Sequence, residues 1–128
     1  MQPSKADRAR VSRWVKKWRK VLLLQTHEFE LFYEDEDPDE AERCMASYLD
    51  NAPYLNATIT IYSKFWEKSR EIQEQTVLHE LSHAVTFPLK GIVHRILVDE
   101  KFASWNEAKA SDERVADMLM HIVWNLTH

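Results

Sequence analysis

The chain has 128 residues, enough for one domain with one modest core. Hydrophobic residues make up 45%, which points to a packed globular domain rather than disorder. The single cysteine, Cys44, excludes an internal disulfide framework or a cysteine zinc cluster. No apolar run approaches the roughly 20 residues of a membrane span, so the expectation is a soluble, cytoplasmic protein with no membrane partner.

The net charge of -4 hides an asymmetry. Residues 1–24 carry eight Lys/Arg and one Asp, while nine acids crowd between Glu28 and Glu42. The plain reading is that the basic element lies near the acidic one. The sharper reading is nucleic-acid binding through residues 1–24.

In chain order, residues 7–24 place Val11, Trp14, Val15, Trp18, Val21 and Leu22 at helical spacing, an amphipathic helix packed on the domain. Residues 25–34 alternate loosely and predict a strand. Residues 34–40 form an acidic turn, and 42–49 fit a strand or a short helix. Residues 57–62, ATITIY, are β-branched with period two and predict a firm strand, with Ile59 and Ile61 on one side. A helix is expected from Ser69, as cap, to Thr86, punctuated by Pro88 and Gly91. A short helix near 92–98 is expected next. Ser111 caps a last helix running to about Asn125, with Val115, Met118, Leu119, Ile122 and Leu126 as its core stripe. The order reads as an α+β domain: N-terminal helix, small three-stranded mixed or antiparallel sheet, then two helices.

Within the helix 69–86 lies His79-Glu80-Leu81-Ser82-His83. At 100° per residue the two histidines stand about 40° apart, as two imidazoles reaching one metal ion require. Leu78, Leu81, Ala84 and Val85 fall on the opposite arc. Glu80 lies about 100° from His79, beside such a metal rather than on it, where it can take a proton from water. A shuffled chain of this composition yields the motif in roughly three of a hundred cases, so its context must carry weight.

A catalytic zinc needs three protein ligands and an open position. A glycine three residues after His83 and a histidine six after would mark one class; Thr86 and Leu89 stand there instead. The third ligand is then a later carboxylate, with Asp99, Glu100, Glu107, Asp112, Glu113 and Asp117 available. Glu113 and Asp117 stand one turn apart on the last helix, placed by this reading opposite its core stripe. Glu113 can ligate, and Asp117 can accept a hydrogen bond from the outer nitrogen of a ligand histidine.

His79-Glu80-Leu81-Ser82-His83, followed by Glu113-Arg114-Val115-Ala116-Asp117, resembles the gluzincin metallopeptidases. The length and the order of elements look most like the single-domain minigluzincins. The specific match covers residues 79–117, and the spacing from His83 to Glu113 is longer than in thermolysin-like members. The resemblance implies one zincin-like domain over residues 1–128. It implies one Zn2+ on His79, His83 and Glu113, Glu80 as general base and acid, and Asp117 behind a ligand histidine. It implies a peptide or protein substrate, added as an extended strand along the sheet edge expected at 57–62. It also implies latency, with the tail 125–128 or the acidic stretch 34–40 filling the cleft. Two rivals stand beside this reading. One is a regulatory metalloprotease cleaving a single protein such as a repressor. The other is a non-enzymatic binding module using the basic helix. Among further polar groups, His94, His121, Tyr54 and Tyr62 are expected to be structural, Cys44 buried, and His27 and His128 solvated.

Overall fold

A computed structural model describes residues 3–35, 45–51, 54–94 and 105–128. Helix α1 spans Lys5–Val21. Ser4 starts it: its Oγ accepts from the Asp7 backbone N–H at 3.1 Å, and the Asp7 carboxylate accepts from the Ser4 N–H at 3.1 Å. This reciprocal cap satisfies two donors that a helix start leaves open. Val11, Val15 and Trp18 are buried, as the helical spacing requires. One carboxylate oxygen of Glu74 accepts from both the Trp18 indole N–H at 2.9 Å and Lys17 at 2.8 Å. That contact ties α1 to the next long helix.

α1 ends in a backbone clasp. The Leu24 N–H donates to Arg19 O at 2.8 Å and the Leu23 N–H to Lys20 O at 3.2 Å. The clasp needs a left-handed residue in the turn, a place that favours glycine. Here Leu23 fills it, with φ of 58°.

The sheet has three strands, β1 (Glu28–Tyr33), β2 (Ala46–Asp50) and β3 (Asn56–Ile61). Their order is β1-β3-β2. β1 runs parallel to β3 with Leu31 opposite Ile59, and β2 runs antiparallel with Tyr48 opposite Ile59. The sheet is therefore mixed. Ala57, Ile59 and Ile61 are buried, whereas Asn56, Thr58 and Thr60 are only half-buried on the other side. The expected edge position of 57–62 is overturned. The most buried strand takes the centre, where both neighbours satisfy its backbone, and β1 and β2 form the edges among the described residues.

A short 3-10 turn, Ser63–Glu67, leads into helix α2, Arg70–His94. Ser69 Oγ accepts from the Ile72 N–H at 3.3 Å, as expected of a cap. The expected stop after Thr86 does not occur, because α2 continues through Pro88 and Gly91. A proline in a helix removes one N–H rung and strains the turn before it, which weakens the helix without ending it. Residues 92–94 belong to α2, and the rest of the helix expected at 92–98 lies outside the described residues. Val77, Leu78, Leu81 and Ala84 are buried, but Val85 is exposed, contrary to its expected place in the stripe.

Helix α3 spans Trp105–Thr127. Ser111 lies inside it rather than capping it, since the preceding Glu107-Ala108-Lys109-Ala110 is itself a run of strong helix formers. The expected core stripe is rotated as well. Val115, Met118, Ile122 and Leu126 are exposed and Leu119 is half-buried, while Ala116, Met120 and Trp124 are buried. Both sets have helical spacing. The set containing the small Ala116 wins because it lets α3 approach α2 closely.

Leu23 gives a direct test of the α1 clasp. A left-handed non-glycine residue costs about 1–2 kcal/mol, and this side chain is 79% exposed. Leu23→Gly should raise unfolding stability by about 0.5–1 kcal/mol after the extra flexibility of the unfolded chain is deducted. Urea unfolding reads this directly, and an unchanged or lower stability would contradict the strained clasp.

Candidate metal centre

His79 and His83 sit one turn apart on α2, with ring centroids 5.0 Å apart and planes at 83°. His83 is buried, and the Tyr48 ring of β2 stacks on it at 5.7 Å. Tyr48 therefore limits the imidazole to a narrow range of orientations. Ser82, between the histidines and the core, donates its hydroxyl to Leu78 O at 2.8 Å and so satisfies itself within the helix. One ligand-capable atom from each of His79, Glu80 and His83 can be chosen so that all three lie within 4.8 Å of one another. This group could hold a metal ion.

α3 brings its carboxylates to the same place. Glu113 Oε2 lies 2.9 Å from His79 Nε2, and Glu113 Oε1 lies 3.2 Å from His83 Nε2. Asp117 Oδ1 lies 3.4 Å from the other nitrogen of His79, Nδ1. The pair was expected opposite the core stripe of α3. It instead shares the α2-facing side with Ala116 and Met120, which is why it reaches the histidines.

The donor count is informative. Both nitrogens of His79 face carboxylate oxygens, yet a neutral imidazole can donate at only one of them. Two arrangements satisfy the site: an imidazolium, or a cation between Nε2 and Glu113 with Nδ1–H turned to Asp117. Two imidazole nitrogens and a carboxylate converging in this way are a donor set that could hold a metal ion.

The charges follow the geometry. Hydrogen bonds from His79 and then His83 hold the Glu113 carboxyl far below the usual carboxylate range. Burial alone would lower the His79 value, but the Glu113 hydrogen bond and the charges of Glu80, Glu113 and Asp117 reverse this and raise it. Glu80 is only 6% exposed. Burial pushes its carboxyl up to about 7, against the pull of His79 and His83. Two carboxylates beside the same histidines thus differ sharply in acidity. Glu113 stays charged, whereas Glu80 can gain or lose a proton near neutrality.

These residues open onto a cleft of about 400 Å³. β2 borders it through Ala46, preceded by Met45; α2 contributes Ile72, Gln75 and Thr76, and α3 contributes Met120 and His121. His121 was expected to be structural. It is exposed on the cleft wall, with Nε2 3.5 Å from Asp117 Oδ2. Asp117 thus faces His79 with one oxygen and His121 with the other. The sequence signal for His121 was its place one turn beyond Asp117. Tyr48 was missed altogether, because its contact with His83 crosses from β2 to α2.

Tyr62 Oη is 3.0 Å from Ser47 Oγ, while Tyr54 is exposed. His27 is half-buried against the Phe29 ring rather than solvated. His128 stacks on Trp124 at 3.9 Å. Cys44 and the His94 side chain lie outside the described residues, as do the other carboxylates Asp99 and Glu100. Glu107 and Asp112 join none of the contacts to His79 and His83.

No protein-family model matches this chain, and no match was found among curated proteins or among solved structures.

The raised Glu80 pKa has a stability consequence in metal-free protein. Its folded value of about 7 lies above the ordinary 4.5. Protonated Glu80 therefore favours the fold fully below pH 4.5, and this contribution is lost as pH rises through 7. Glu80→Gln, a permanent mimic of the protonated form, should gain about 3 kcal/mol on the parent between about pH 4.5 and 8. Urea unfolding of both proteins in chelator checks it; a pH-independent difference would contradict the buried, neutral-prone carboxyl.

Proposed function

We propose that this chain is a zinc-dependent endopeptidase of gluzincin type, most similar in plan to the minigluzincins, folded as one zincin-like domain over residues 1–128. The observation that carries the reading is the Glu113 carboxylate, which reaches Nε2 of both His79 and His83 from a second helix. His79, His83 and Glu113 would hold one Zn2+ per chain, and Asp117 would fix the His79 ring through Nδ1. Zinc bound there would supply Lewis-acid polarisation of a scissile carbonyl and a more acidic water.

The chain's own residues do the rest. Glu80 takes a proton from the attacking water and delivers it to the leaving amine. Its acidity near neutrality suits both transfers. The substrate is a peptide or protein segment in extended form. Its supporting edge is β2 rather than the strand expected at 57–62, since β2 lies at the sheet edge and borders the cleft. An added strand would exchange backbone hydrogen bonds with that edge. Tyr48 reaches from β2 to His83, so the strand that carries substrate also steadies a metal ligand.

Latency belongs to the same proposal only in reduced form. The tail 125–128 lies at least about 18 Å along α3 from Glu113 and packs towards Trp124 and Trp18. It does not fill the cleft. Residues 36–40 of the acidic stretch lie outside the described residues.

Among the described residues no helix is long and apolar enough to cross a membrane. The proposed setting is cytoplasmic, in keeping with a single cysteine.

Glu80→Gln tests the mechanism. Zinc content should be unchanged, while peptide hydrolysis should fall by about 10²–10⁴-fold. A generic quenched peptide library supplies the assay. Normal cleavage by the zinc-loaded variant would contradict the assigned role.

A further inference from the structure

The proposed chemistry does not use α1. The only acid between Ser4 and His27 is Asp7. Of the eight basic residues on α1, Arg10 pairs with Asp7 and Lys17 with Glu74. Arg8 lies over the Tyr33 ring at 5.0 Å, and Arg19 donates to the carbonyls of Leu24 and Gln25. Lys5, Arg13, Lys16 and Lys20 are exposed and make no ion pair or hydrogen bond among the described residues. The nearness expected between this basic helix and the acidic stretch rests largely on residues 36–42, which lie outside the described residues.

The four free cations form a ridge. By helical phase they fall within about 80°, and from Lys5 to Lys20 they run about 22 Å along the axis. The ridge points away from the core, because Val11, Val15 and Trp18 occupy the opposite side. Arg13 with Lys16, and Lys16 with Lys20, are like-charge neighbours at three and four residues. Such pairs repel by a few tenths of a kcal/mol each. A line of anions alongside would turn that repulsion into attraction.

We infer that this ridge of α1 is a docking surface for the phosphate backbone of a nucleic acid. The partner is a linear polyanion read by charge and not by base sequence. An anionic lipid surface fits less well. A helix lying in a bilayer interface turns its apolar stripe to the lipid, and the stripe of α1 is spent on the protein core. The acidic remainder of the chain, with twenty Asp/Glu against nine Lys/Arg, repels phosphate and confines contact to this face. The inference is independent of the metal site.

The test is fluorescence anisotropy of the full chain with a short labelled DNA duplex of arbitrary sequence. Four phosphate contacts predict a log–log salt slope of about 3.6, so binding should weaken roughly a hundredfold between about 50 and 200 mM salt. Arg13→Gln with Lys16→Gln should halve that slope and weaken binding more than about tenfold at the lower salt. Helix content should not change, because neither side chain touches the core. A second duplex of unrelated sequence should bind equally. No binding at low salt, binding indifferent to the double variant, or strong dependence on base sequence would overturn the inference. So would tighter binding to phosphatidylserine vesicles than to the duplex, the outcome expected if exposed Val21 and Leu23 entered lipid beside the cations.

Discussion

The close approach of α2 and α3 through Ala116 is the constraint on which the candidate site depends. Ala116 is fully buried and has only a methyl side chain. Its neighbours along the same side of α3 are Glu113, Asp117 and Met120. Placing Ala116 against α2 therefore delivers both carboxylates to His79 and His83 with no loop intervening. A larger residue there would push the helices apart, and distances of 2.9 and 3.2 Å would not survive a shift of an ångström or two.

Burial then divides the labour between chemically identical groups. Glu80 is surrounded by protein and resists ionisation, whereas Glu113 sits at the cleft beside two imidazoles and remains charged. The stabilities of these groups are coupled, because Glu113 reaches both imidazoles and His79 also faces Asp117. A polar cluster of this kind, next to Leu78 and Leu81 in the core, is costly unless every member is satisfied. Tyr48, Asp117 and the Glu113 oxygens supply that satisfaction by restricting the rings and accepting their hydrogens.

Much of this was legible in the sequence, for identifiable reasons. The strands ATITIY and EFELFY carry period-two alternation that the sheet preserves. The histidines are close because four residues make one helical turn, which no tertiary detail alters. The phase of α3 was not legible. Val115-Met118-Ile122-Leu126 and Ala116-Met120-Trp124 are both helical stripes, and hydrophobicity favours the former although packing chose the latter. Pro88 also misled, since a helix can carry one proline at the loss of a single hydrogen bond. The strand order was inaccessible because β1 and β3 pair in parallel, leaving β2 at the edge. Tyr48 belongs to the same class, being close to His83 only in space.

The proposed function requires that the α3 carboxylate complete a metal site begun on α2. Equilibrium titration of metal-stripped protein with zinc, against a chromophoric chelator, measures this most directly. About one zinc per chain is expected, with affinity reduced by at least about tenfold in Glu113→Ala. Failure of the parent to take up zinc, or undiminished affinity in Glu113→Ala, would contradict it.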